Sequence, residues 1–263
     1  MQELAFVIAG MVVGLIVGLT GVGGGSLMTP ILIFFFGVKP YIAVGTDLLF
    51  AAFTKMGGTI TLARAKRVDW PVVFHLSAGS VPAALITLWV LHRVGPASAS
   101  VQAAMTSTLG VALLLTAAAT LYKALRGKAA PKAIAVGDEA RATQARHWAL
   151  PLLFGALIGT LVTLTSVGAG AIGVTVLMLL YPLLPLPRIV AADIAYAVPL
   201  TLVAGAGHAS LGSVDWAMLA CLLAGSLPGI WIGSHLMHKT PERLVRSMLS
   251  VLLAYAGLKL MAL

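Results

Sequence analysis

Charge is scarce in this sequence. Of its 263 residues only 10% are Asp, Glu, Lys or Arg, against about 25% in soluble domains. That excludes an ordinary water-soluble globule. Cysteine is scarcer still: Cys221 stands alone, which excludes an internal disulfide and any cysteine-based metal cluster. No HExxH, no GxSxG and no recognisable Cys–His spacing occurs, so hydrolase chemistry lacks its usual ligands and nucleophiles. Ser26 follows a run of glycines but has no evident histidine partner, and Ala171 stands in its place downstream. The sequence reads as a non-enzyme without a cofactor.

Apolar residues fill the space. They make up 60% of the chain, and the mean hydropathy is +1.02, the signature of a polytopic membrane protein. The first apolar run, 4–20, has no basic segment before it and no small-residue cleavage site, so it is expected to be retained structure. The net charge of +9 could suggest nucleic acid, but the basic residues sit in short loops and report topology instead.

Ten apolar segments can be counted: about 4–20, 26–38, 41–63, 70–91, 98–125, 148–165, 170–184, 188–210, 215–237 and 242–262. A full crossing takes about 20 residues. The second and seventh are short and suit half-helices or re-entrant segments. Thirteen Lys and Arg residues fall in one set of loops, among them Arg64, Lys66, Arg67, Arg126, Arg188 and Arg243; only Lys39, Arg93 and Lys259 fall in the other. The first set is expected to be cytoplasmic and both termini periplasmic.

The polar stretch 126–147 divides the chain into a first repeat, 1–125, and a second, 148–263, with a cytoplasmic linker between them. "VDWPVVFHLSAGSVPAALI" (68–86) aligns with "VDWAMLACLLAGSLPGIWI" (214–232) at an offset of 146, with nine of nineteen positions identical. The same offset pairs Asp47 with Asp193. Five segments per repeat is odd, so the second copy enters the membrane inverted, as in secondary transporters. The expected fold is therefore all-α and polytopic: two inverted repeats of about five hydrophobic segments each, with short re-entrant or broken helices at the glycine-rich stretches.

Those stretches are "GVGGGS" (Gly21, Val22, Gly23, Gly24, Gly25, Ser26) and "SVGAGA", which holds Ser166, Val167, Gly168, Ala169 and Gly170. Each precedes a short helix. Glycine allows sharp turns and exposes consecutive N–H groups, and a helix N-terminus adds partial positive charge, so the pair suits an anion. The plainer reading is close helix packing. Lys55 lies mid-segment, where a cation costs at least about 2.5 kcal/mol. It suits an anion ligand, or a partner for Asp47, or snorkelling. Asp47 and Asp193 are candidates for coupling or gating, or for bridging helices near the interface. His208 could titrate near neutral pH or serve as a backbone-bonded histidine. Asp69 and Asp215 suit N-caps, and Pro71 suits helix position N1.

"GLTGVGGGSLMTPIL", "AVGTDLLFAAFTK", "VDW…GSVPAA" and "DIAYAVPLTLVAGAGHASLGSVDW…GSLPGIWIG" resemble the TauE/SafE family, also called the sulfite exporter or TSUP family. The resemblance covers nearly the whole chain. It implies a bacterial inner-membrane protein that moves sulfite, organosulfonates or related anions without an ATPase partner. The family pattern carries to Gly21, Gly23, Gly24, Gly25, Thr46 and Asp47; Ala169 and Ala171 depart from it in the second motif. The expected partners are a small anion and the lipid bilayer, with no nucleic acid, and a homodimer stays open. A carboxylate importer and a passive anion channel are the alternative functions. Alternating access is expected to rock one repeat against the other.

Overall fold

A computed structural model of the chain describes residues 2–20, 25–126, 149–168, 170–236 and 242–261. The expected linker therefore lies almost wholly outside the described residues. Within them are ten helices and no strand: α1 (Gln2–Thr20), α2 (Gly25–Phe36), α3 (Pro40–Arg64), α4 (Trp70–Val94), α5 (Ala99–Arg126), α6 (Ala149–Thr165), α7 (Ala171–Leu180), α8 (Leu186–Ser210), α9 (Trp216–Leu236) and α10 (Glu242–Met261). Among the described residues α1, α4, α5, α8 and α9 are long and apolar enough to cross a bilayer. Helix α3 matches α4 in length, but Asp47, Lys55 and Arg64 make it less apolar. Helices α2 and α7 have only 12 and 10 residues, too few to span. Large apolar side chains such as Phe35, Phe74, Leu157, Leu179 and Trp231 lie on the outer surface, where lipid replaces water as their solvent.

Proline and glycine punctuate the elements. Pro40 opens α3, and Pro71 and Pro187 lie in the first turns of α4 and α8, where a missing N–H costs nothing. Helix α4 begins at Trp70, so Pro71 is its second residue. It ends at Gly95, whose φ of +87° suits a residue without Cβ.

Packing pairs helices from opposite halves of the chain. Helix α1 lies along α9, and α6 lies along α4; α3 packs on α8, and α5 on α10. The first two pairs meet backbone to backbone. A Cβ added to Gly14 would lie 2.4 Å from Ser226 O, and one on Gly225 would lie 1.9 Å from Val7 O; Gly10, Gly18, Gly229 and Gly233 make the same kind of approach. Between α4 and α6, Gly79 and Gly159 do so against Leu152 and Ser80. Small residues at helix crossings replace the missing hydrophobic drive in lipid with close van der Waals contact.

The buried apolar residues form two clusters. One joins Leu76 and Ala84 of α4 with Ile158 and Val162 of α6, Leu177 of α7 and Leu200 of α8. The other joins Val13 of α1, Met28 and Leu32 of α2, Leu113 of α5, Leu222 of α9 and Leu253 of α10. Helix α3 contributes to both, with Val44 and Leu48 in the first and Ala43, Leu49 and Phe50 in the second. The α3–α8 contact therefore runs along the seam between two cores.

The two VDW motifs are used differently. Asp215 Oδ1 accepts the N–H of Met218 at 2.9 Å and caps α9. Asp69 occupies the N-cap of α4 but makes no capping bond; it pairs with Arg188 at 3.7 Å. At the offset of 146, the residue matching Arg188 is Ile42. Without a cation there, the second aspartate turns back to its own helix.

Candidate functional site

The α3–α8 seam carries Asp47, Lys55, Asp193 and His208, four of the buried ionisable side chains. The two helices run antiparallel: Gly45 abuts His208, Gly205 abuts Leu49, and Thr59 Oγ1 donates to Ile194 O at 3.5 Å. This register places the level of Asp193 five residues from Lys55 along α3, about 7 Å, while Asp47 is eight residues away, about 12 Å. Lys55 thus stands between the two carboxylates. It lies within electrostatic reach of both. The three are 0% (Asp47), 8% (Lys55) and 2% (Asp193) exposed.

Asp47 receives a hydrogen bond on Oδ2 from Thr29 Oγ1 of α2. Its Oδ1 has no partner among the described residues. Ser166 stands beside the same carboxyl, 4% exposed, but without hydrogen-bond geometry from its Oγ, which also has no partner among the described residues. Asp193 packs against α7 so closely that a Cβ on Gly173 would lie 2.0 Å from its Oδ1. The buried hydroxyl of Tyr196, a turn further along α8, lies near Asp193 as well.

The second glycine stretch is built for this place. Ser166, Gly168 and Gly170 have φ of +59°, +130° and +136°, a reversal that only glycine takes without strain at two of the three positions. Thr165 fastens it: its hydroxyl donates to Leu161 O at 2.6 Å and accepts the Val167 N–H at 3.1 Å. Val167 is buried in the second apolar cluster, which α1, α2 and α3 of the other half help to form. Gly173 N–H reaches Gly168 O, and Val174 N–H reaches Gly170 O, both at 2.9 Å. The donors at the head of α7 thereby narrow to Ala171 and Ile172 among the described residues. Of the first stretch, Gly25 begins α2 and Ser26 is buried in its first turn. Gly21, Val22, Gly23, Gly24 and Ala169 lie outside the described residues.

Two expected site residues sit apart. Thr46 Oγ1 accepts the N–H of Asp215 at 3.1 Å and ties α3 to the start of α9. His208 Nε2 donates to Thr163 O at 2.9 Å, joining α8 to α6; its Nδ1 has no partner among the described residues. Thr29, Gly173 and Tyr196 are additions. Nothing in the sequence singles them out, because each lies in an ordinary apolar run. A groove of about 390 Å³ between α4 and α6 is lined by Ala83, Ile86, Thr87, Val90, Leu91, Thr160 and Leu164. It opens on the outer surface at the exposed Ile86 and Val90 and is separate from the polar seam. No group of three His, Cys, Asp or Glu side chains among the described residues is placed to hold a metal ion.

Residues 6–260 match the family described as "Sulfite exporter TauE/SafE". The chain belongs to this family. Its TauE/SafE relatives include "Probable membrane transporter protein YjnA" of Bacillus subtilis (strain 168), 35% identical over 268 residues that cover 98% of this chain and 100% of the relative. "Probable membrane transporter protein YunE" of the same organism is 26% identical, over 99% of this chain and 97% of the relative. No solved structure matches. The protein is a multi-pass membrane transporter of the TauE/SafE family.

Proposed function

We propose that this TauE/SafE protein is a secondary transporter that exports a small sulfur oxyanion or sulfonate across the bacterial inner membrane. The observation that carries the reading is the meeting of a glycine break from one half, at Ser166, with a buried carboxylate from the other, at Asp47, on the seam between two cores. A broken backbone survives in the membrane only where protein or a polar cavity satisfies it. A sulfonate or sulfite is acceptor-rich and ionised, so backbone N–H groups at a helix head suit it. The family description, which names sulfite, supports the same substrate class.

The halves are read as inverted repeats. Exchanging α1–α5 with α6–α10 turns the α1–α9 pair into the α6–α4 pair and returns α3–α8 and α5–α10 to themselves, and this pairing pattern supports the reading. It also changes which parts move. Each core combines the broken helix pair of one repeat with the fourth helix of the other. On this reading the moving bodies are these mixed cores, sliding along α3–α8, in place of one repeat rocking against the other. Both termini lie on the periplasmic side. For a monoanion leaving a negative-inside cell, the potential supplies about 2.3 kcal/mol per 100 mV.

The test is a thermal-shift panel on the purified protein with sulfite, thiosulfate, sulfate, taurine, sulfoacetate and oxalate, followed by flux in proteoliposomes. Stabilisation and saturable flux with sulfite or a sulfonate support the reading. A response confined to oxalate replaces the substrate with a carboxylate, and non-saturable, purely conductive flux replaces the transporter with a channel.

A further inference from the structure

The seam holds two carboxylates and one ammonium, and their arithmetic is unbalanced. Asp47 and Asp193 occupy matching places in the two halves, but Lys55 has no counterpart: the residue at the same offset is Thr201. The three are almost wholly buried, and with all of them ionised the row carries a net charge of −1. An uncompensated charge in a low-dielectric, membrane-embedded interior is expensive, so such groups pair or neutralise. Lys55 lies closer in register to Asp193 than to Asp47 and within electrostatic reach of both. Asp47 is held differently. Thr29 donates to one of its oxygens, while the other oxygen and the neighbouring Ser166 hydroxyl both lack partners among the described residues. A proton on Asp47 Oδ1 turns that atom into a donor, and Ser166 Oγ is beside the carboxyl to accept.

We propose that Asp47, Lys55 and Asp193 form a one-proton coupling site in which Lys55 is a counter-charge exchanged between the two carboxylates. In the conformation described here Lys55 neutralises Asp193 and the proton resides on Asp47. In the opposite conformation Lys55 serves Asp47, and the proton resides on Asp193. Between the two conformations the proton on Asp47 is released and one is taken up on Asp193 as Lys55 changes partner, so each end state is neutral and the row carries −1 only between release and uptake. Lys55 is then an internal counter-ion and not the ligand of the transported anion. Other titratable or charged groups on the elements packed here are Tyr41 and Arg64 near the two ends of α3; Arg188, paired with Asp69, Tyr196, beside Asp193, and His208, bonded to the Thr163 carbonyl, on α8; and Asp215, Cys221 and His235 at or along α9. The inference rests on the transporter reading for its purpose, but its test does not need the substrate.

The experiment is acid-minus-base infrared difference spectroscopy on the purified full chain, reading the carbonyl stretch of a protonated carboxyl. The wild type is expected to show one such band. Asp47→Asn removes it. Asp193→Asn also removes it, because Lys55 is then free to neutralise Asp47. Lys55→Met about doubles it, and Lys55→Arg leaves it at the wild-type level and checks that the site still assembles. Absence of the band in wild type, its survival in Asp193→Asn, or an unchanged band in Lys55→Met overturns the proposal. Sulfite flux in proteoliposomes, measured alongside, separates the two readings. Absent flux with the full band pattern removes sulfite as substrate and leaves the coupling site standing. Saturable flux with the wrong band pattern removes the coupling site alone. A raised KM for sulfite in Lys55→Met, with the band unchanged, returns Lys55 to the anion.

Discussion

Arg188 Nη1 stands 3.7 Å from Asp69 Oδ1 and ties the start of α8 to the loop before α4. The two segments come from different halves of the chain and share one face of the protein. Both belong to the loops in which Lys and Arg accumulate, so the ion pair agrees with the charge bias about sides. In a Cys221→Ser background, Arg67→Cys is expected to resist a membrane-impermeant maleimide added to intact cells, and Ser210→Cys to react. Both positions are exposed at loop edges. Labelling of both, or of neither, contradicts the assigned orientation.

The two aspartates of the VDW motifs should respond differently to truncation. Asp215→Ala removes the bond to the Met218 N–H and is expected to lower stability by about 1 kcal/mol, with Asp215→Asn recovering most of it. Asp69→Ala removes a partly exposed ion pair, for which the expectation is at most about 1 kcal/mol and a loss that shrinks at high salt. Thermal unfolding in detergent at two salt concentrations checks both. A cap-like, salt-independent loss at Asp69 contradicts the assigned roles.

Helix crossings set a second contrast. Gly14→Val drives a side chain into the Ser226 carbonyl, and overpacking of this kind costs about 1–3 kcal/mol. Gly57→Ala meets nothing within 4 Å and is expected to be neutral or stabilising by up to about 1 kcal/mol, as alanine replaces glycine inside a helix. The midpoint of unfolding in detergent should fall for the first and hold or rise for the second. Equal losses at the two sites would mean that backbone contact is not what glycine provides at the α1–α9 crossing.

Thr29→Val deletes the hydroxyl that donates to Asp47 at nearly constant volume. Leaving that buried oxygen without its donor is expected to cost about 1–3 kcal/mol, whereas Thr29→Ser keeps the bond and most of the stability. Unfolding midpoints of the two variants make the comparison. A Val variant as stable as wild type would show that the hydroxyl does not support the carboxyl.

Much of this architecture is legible locally. The lengths of α2 and α7 follow from the glycine runs before them and the polar or proline-rich turns after them. The match between Asp47 and Asp193 follows from the offset of 146. What local pattern does not carry is the cross-half pairing. Asp193 of α8 comes within electrostatic reach of Lys55 because α3 and α8 meet antiparallel along the seam; spacing within α3 points only to Asp47. The role of Thr29 depends on how α2 folds back on α3, and its sequence context is an apolar run like any other. Asp69 reads as an N-cap until Arg188 arrives from a loop more than a hundred residues away. Thr46 matches the family pattern, yet its hydroxyl bonds the start of α9.

The crossing of Gly14 with Ser226 has a consequence for biosynthesis. It joins two helices that stand about two hundred residues apart in the sequence. During insertion α4 gains its partner α6 after a shorter stretch of chain, whereas the glycine face of α1 has no α9 to meet until α9 has been synthesised. Contacts so distant in sequence form late, so a nascent chain that stops short of α9 carries an unpaired glycine face on α1, the kind of exposed packing surface that invites misassembly.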